Sequence, residues 1–210
     1  AGAVTCVDGV SMAPHGLPDV GALGTDIYLF SSYKTYGPHQ GIMVVRRTLA
    51  DRLPNQAHFF NADARTKRFT PAGPDHAQIA AAAGLADYVD TLYSHHFDTN
   101  DAPAARARAV TGLQRSHEDK TLAPLLEYLR SRNDVRILGN NHIQTPTGRV
   151  PTVAVHAARP AEAIARDLAD HGIMAGAGDF YAMRTIGALG CDPKEGVLRL
   201  SFVHYTTDTE

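Results

Sequence analysis

The feature that most constrains this 210-residue chain is a short apolar run, Ile27-Tyr28-Leu29-Phe30, that passes straight into Ser31-Ser32-Tyr33-Lys34 and then Gly37-Pro38-His39. Four apolar residues rich in strand formers and bounded by turn signals read as a buried strand. A similar run, Ala3 to Val7, ends at Asp8, and a third covers Ile42 to Val45. A short helical pattern, Val20-Gly21-Ala22-Leu23, separates the first two in the chain. This succession predicts a mostly parallel α/β sheet. Asp8 and Lys34 would then leave the same carboxyl edge, where open α/β sheets bind ligands.

A lysine among Ser31, Ser32 and Tyr33 at that edge sits where loops carry chemistry. Partial desolvation would make it a usable amine nucleophile toward carbonyl carbon. A pyridoxal phosphate (PLP) site needs such a pair, an amine for the aldehyde and an acid facing the pyridinium nitrogen. The plain alternative is a surface lysine and a strand-end turn residue, since lysines are mostly exposed.

Composition sets the outer limits. Hydrophobic content of 44% and charged content of 20% are globular values. The formal net charge of −2 gives no reason to expect nucleic acid or an anionic membrane as partner. No apolar run approaches the roughly 18 to 20 residues of a membrane span, and no signal peptide opens the chain. Two distant cysteines, Cys6 and Cys191, argue against a disulfide framework and suit a reducing cytoplasm. Cys6 is expected as a small core residue of the first strand. Adjacent His95 and His96 diverge on a helix and lack a carboxylate or cysteine at ligand spacing, so no metal is expected.

Further along, the pattern predicts strand 42–46, a helix at 49–53, a loop over 54–74, and one long helix from Asp75 through Leu92. Residues 98–103 form a linker, and Pro103 suits the first turn of a helix running to Arg132. Its apolar stripe is Leu122, Leu125, Leu126 and Leu129, with Pro124 expected to kink or break it. Strand 135–138, strand 151–156, helix 160–171, strand 173–176, helix 182–189 and strand 197–204 follow. The domain expectation is 1–97 and 98–210.

Val7-Asp8-Gly9-Val10-Ser11, Pro14-His15, Asp19-Val20, Leu23-Gly24-Thr25-Asp26 and Ser31-Ser32-Tyr33-Lys34 with Tyr36-Gly37-Pro38 resemble the fold-type I PLP enzymes called class V aminotransferases, in their cysteine desulfurase-like branch. The resemblance implies an α/β fold: the C-terminal part of a PLP-transferase large domain (mostly parallel sheet) plus a smaller α+β C-terminal domain. It implies PLP as cofactor, an amino acid or related amine as substrate, and a homodimer. Lys34 would form the aldimine with PLP and act as general base; Asp8 would keep the pyridine nitrogen protonated. Ser31 matches a phosphate-binding serine, while Tyr33 stands where desulfurases have histidine. Ser11 stands where many relatives carry glutamine, and is otherwise a turn serine. His15 flanks the same pocket, caps a helix or is solvated. His39 would meet phosphate or substrate, and Arg199 would receive the substrate carboxylate by bidentate pairing.

The resemblance also exposes departures. The segment Arg68 to His76 resembles a loop reaching a partner subunit's phosphate; its usual threonine falls near Gly73, leaving Thr70 or His76 as donors and Asp75 as a helix cap. In Gly172 to Tyr181 the family's arginine and sulfur-accepting cysteine fall near Gly176 and Tyr181. Without that thiolate the usual persulfide step is not expected, and Cys191 reads as a loop residue. The chain opens without methionine, closes on what looks like a helix start, and is expected to be a piece of a protein roughly twice as long. The competing readings are a non-catalytic α/β binding domain and an inactive fragment of the enzyme.

Overall fold

A computed structural model describes residues 2–70, 73–143 and 149–210. The chain divides into two compact units, residues 1–111 and 112–210.

In the first unit, β1 (Cys6–Asp8), β2 (Ile27–Ser31) and β3 (Gly41–Val45) form a three-stranded sheet in that order. β1 and β2 are parallel, with Asp8 opposite Leu29. β3 returns antiparallel, pairing Ser31 with Gly41. The described sheet is therefore mixed: the parallel pair expected from the strand–helix–strand succession is present, and a loop of residues 32–40 brings β3 back alongside β2. The crossover between β1 and β2 contains α1 (Val20–Leu23), whose N-terminus is capped by Asp19 accepting from Ala22 N at 3.0 Å. Tyr28 and Phe30 alternate onto one face of β2 and pack with Ala13, against which Val7, Val20 and Ile42 also lie.

At the opposite edge, Asp26 accepts from both Thr5 N (3.0 Å) and Thr5 Oγ1 (3.2 Å) and pairs with Arg46 Nε at 3.3 Å. These contacts hold its carboxyl below the usual carboxylate range, the Thr5 backbone N–H being the largest cause. Cys6 is exposed rather than a core residue. Among the described residues β1 borders the sheet on one side only, which leaves Cys6 uncovered.

After α2 (Arg47–Ala50), the expected single long helix is two: α3 (His76–Ala81) and α4 (Gly84–His96). The break falls just before Gly84, where low helix propensity lets the chain restart. α5 (Pro103–Ser131) begins in the first unit and continues into the second. It runs unbroken through Pro124. A proline there costs a helix about 3 kcal/mol. Burial of Leu122, Leu126 and Leu129, at about 1.5–3 kcal/mol each, outweighs that cost.

The second unit is an α+β layer. An antiparallel sheet in the order β4 (Val135–Leu138), β5 (Thr152–Ala157), β7 (Val197–Ser201), β6 (Gly176–Gly178) packs against α5 and α6 (Ala161–Asp170). The three leucines of α5 meet Val153, Val155 and Leu198. α7 (Met183–Ala188) supplies Ile186 to a second cluster with Cys191 and Val197.

Candidate active site

The parallel pairing of β1 and β2 determines which side chains meet. Asp8 is the last residue of β1, and β2 ends two residues beyond Leu29, its register partner. Both strands run the same way, so Asp8 and the Ser31–Lys34 segment emerge from one carboxyl edge of the first unit. Asp8 and Lys34 are exposed there. The desolvation expected around Lys34 is not supplied by the residues described.

Two short turns shape this edge. After Asp8 the chain bends immediately: Asp8 Oδ1 accepts from Val10 N at 3.0 Å, and Gly9 O accepts from Met12 N and Ala13 N. Gly9 is obligatory in this bend, because a Cβ would stand 2.0 Å from Tyr28 Oη. Tyr28 is 2% exposed, and its hydroxyl has no hydrogen-bond partner among the described residues. Burial, and secondarily the Asp8 charge, pushes the phenol above its ordinary value and keeps it neutral. Ser11 is exposed on this turn. His15 is buried at the end of a 3-10 turn spanning Ala13–His15, which excludes the solvated reading.

The second turn, Ser32–Lys34, is also 3-10. Its anchor is Ser32, fully buried, whose hydroxyl donates within the 38–40 segment to Pro38 O (2.5 Å) and Gln40 O (2.9 Å). Ser32 O accepts from Thr35 N and Gly37 N, and Thr35 Oγ1 donates to Ser31 O at 3.0 Å. Tyr36, in the left-handed region at φ 65°, donates its hydroxyl to Pro14 O at 2.9 Å. That bond ties the turn carrying Lys34 to the turn that follows Asp8. Neither Ser32 nor Tyr36 was distinguishable by sequence reasoning. Ser32 is one of an adjacent pair of serines, and only strand alternation through Phe30 hints that it points inward.

Of the remaining expected residues, Ser31 closes β2 and is half-buried. Tyr33 and His39 stack face to face, ring centroids 4.7 Å apart at 10°, across the loop. In the segment 68–76, Pro71 and Ala72 lie outside the described residues. Asp75 there accepts from Gln78 N at 3.0 Å and is the N-cap of α3.

Arg199 belongs to the second unit. It pairs with Gly176 across β7 and β6, and its guanidinium lies 4.0 Å from the centroid of the Phe180 ring. Tyr181, in the place expected for a sulfur-accepting cysteine, is fully exposed. Cys191 is buried, with its Sγ accepting from Arg136 Nη2 at 3.1 Å.

The aminotransferase class-V family profile matches residues 1–100, so this segment is similar to that family. Over its whole length it is 31% identical to the aminotransferase-like protein FGM3 of Gibberella zeae, covering 49% of that protein. It is 30% identical to a probable cysteine desulfurase of Pseudomonas putida, with 97% of this chain and 47% of the relative aligned. The fold is that of the cysteine desulfurases: the CsdA enzyme of Escherichia coli superposes on 99% of this chain and 49% of its own, at a TM-score of 0.70 and 21% identity. The Thermococcus onnurineus cysteine desulfurase gives 0.68 and 22%, over 98% of this chain and 49% of its own. The chain thus spans about half the length of these relatives.

Proposed function

We propose that this chain carries the lysine-bearing part of a PLP-dependent active site that acts on an amino acid or related amine. The observation that supports this most directly is the pairing of β1 with β2, which puts a carboxylate and an amine on one sheet edge with their turns tied together by Tyr36.

The donor set fits PLP. Asp8 offers an exposed carboxylate for a protonated ring nitrogen, Lys34 an amine for the aldehyde, and Ser31 a hydroxyl for a phosphate oxygen. The stacked Tyr33–His39 pair adds a phenol and an imidazole within the same loop. Bound there, PLP would withdraw electrons from the substrate's α-carbon. Asp8 would hold the ring proton that makes this withdrawal effective, and the Lys34 amine would move the α-proton. Ser11 would meet the cofactor's phenolic oxygen. Arg199, with its planar fork, would take a substrate carboxylate.

Transamination, epimerisation, β-elimination and sulfur removal all begin by labilising a bond at that carbon. A persulfide-forming route is disfavoured, because Tyr181 offers no thiolate and Cys191 is buried against Arg136. A homodimer is part of the same reading.

The test is chemical trapping. The complete protein carrying this sequence is reconstituted with PLP, reduced with borohydride and mapped by peptide mass spectrometry. A pyridoxyl group on Lys34 is the expected result. A folded complete protein with no adduct there overturns the reading in favour of a non-catalytic binding domain.

A further inference from the structure

Two adjacent non-glycine residues, Phe180 and Tyr181, both hold left-handed backbone at φ 49° and 61°. Such a conformation is unfavourable for bulky side chains and persists only where the surroundings impose it. Here the turn is tied from within: Asp179 Oδ1 accepts from Tyr181 N at 2.8 Å and Asp179 O from Ala182 N at 2.7 Å. The turn sends the two rings to different places. Tyr181 is wholly exposed, whereas Phe180 packs against the cluster of Ile186, Cys191 and Val197.

Phe180 occupies a space that the sheet leaves open for it. Gly176 and Arg199 are register partners on neighbouring antiparallel strands, so side chains at these positions share a face of the sheet. A Cβ on Gly176 would stand 3.1 Å from Phe180 Cε1 and Cζ, tighter than ordinary contact. The ring lies over the glycine, and the Arg199 guanidinium lies 4.0 Å from its centroid. A guanidinium stacked on an aromatic face keeps its in-plane N–H donors available at the edge.

We propose that Phe180 is a positioning residue for Arg199, holding the guanidinium plane so that its fork can receive a substrate carboxylate, in the room left by the absent side chain of Gly176. This rests on the reading of Arg199 as the carboxylate site and makes the substrate a carboxylate-bearing amine, an α-amino acid, rather than a simple amine.

The experiment labels the complete protein with phenylglyoxal, follows modification of Arg199 by mass spectrometry, and uses propionate as the protecting carboxylate. Propionate is expected to slow labelling of Arg199. Phe180→Ala should raise the propionate concentration needed for half-protection by roughly tenfold, with the far-ultraviolet circular dichroism of the parent. Phe180→Tyr, which keeps the ring, should restore protection to within about threefold. Gly176→Ala, which crowds the ring without removing it, should shift protection in the same direction as Phe180→Ala. Parental half-protection in both Phe180→Ala and Gly176→Ala overturns the positioning role and leaves Arg199 as the carboxylate site. An Arg199 that propionate does not protect in the parent protein overturns the carboxylate site and, with it, this proposal.

Discussion

Gly9 shows how one residue governs the approach to the edge of the first sheet. The bend after Asp8 passes so close to the buried Tyr28 hydroxyl that no side chain fits. Gly9→Ala should therefore destabilise the protein by about 1–3 kcal/mol, the usual cost of overpacking, and urea unfolding measures it directly. Asp26 governs the other edge. Its carboxyl is held below its ordinary value by Thr5 and Arg46. A depressed folded-state value means that its contribution is complete above the unfolded value near 3.8 and is lost as pH falls through the lower folded value. The stability gap between the parent and Asp26→Asn should thus be wide at pH 7 and close progressively below about pH 4, in denaturation curves recorded across that range.

The loop element 32–40 illustrates how local structure is decided by contacts that are remote in pattern. Ser32 is buried and donates to two carbonyls across the loop, whereas its neighbour Ser31 faces the edge. Ser32→Ala removes the hydroxyl bond but leaves Pro38 O its Gln40 N–H and Gln40 O its Ser32 N–H. It should therefore cost about 0.5–1.5 kcal/mol, read by thermal or chemical unfolding, with less pyridoxyl trapped on Lys34 because its turn loosens. α5 makes the complementary point. Leu126, 1% exposed, packs with Leu122 and Leu129 on the second sheet. Leu126→Ala should cost about 2–5 kcal/mol in the same assay, a penalty that a surface position such as Glu127 would not show. The apolar stripe was legible from its spacing. The persistence of α5 through Pro124 was not, because the compensating burial comes from β5 and β7, far along the chain. The division of α3 from α4 was likewise unannounced in an alanine-rich run, where the propensity of Gly84 is a weak local signal.

At the scale of the molecule, Asp8 and Lys34 belong to the first compact unit and Arg199 to the second. Their variants should separate. Lys34→Ala should abolish the borohydride adduct, whereas Arg199→Ala should leave the adduct on Lys34 intact and remove the preference for an amino acid over its decarboxylated amine, followed by absorbance titration of the PLP-loaded protein. The sequence by itself indicated most of the strands, the turn residues beyond them and the chemical identity of Asp8, Lys34 and Arg199, because these follow from short-range pattern and residue type. It misplaced the strand expected over 173–176, which is Gly176–Gly178, and started the first strand too early, since β1 is Cys6–Asp8. Only the tertiary structure decided that Ser32 rather than Ser31 clamps the loop, that Tyr36 ties the two turns, that Cys6 is exposed, and that Phe180 carries Arg199. Ser32 is settled within its own loop, by carbonyls six and eight residues on. The others depend on which residues, distant along the chain, are brought together by the fold, and no local window of sequence contains that information.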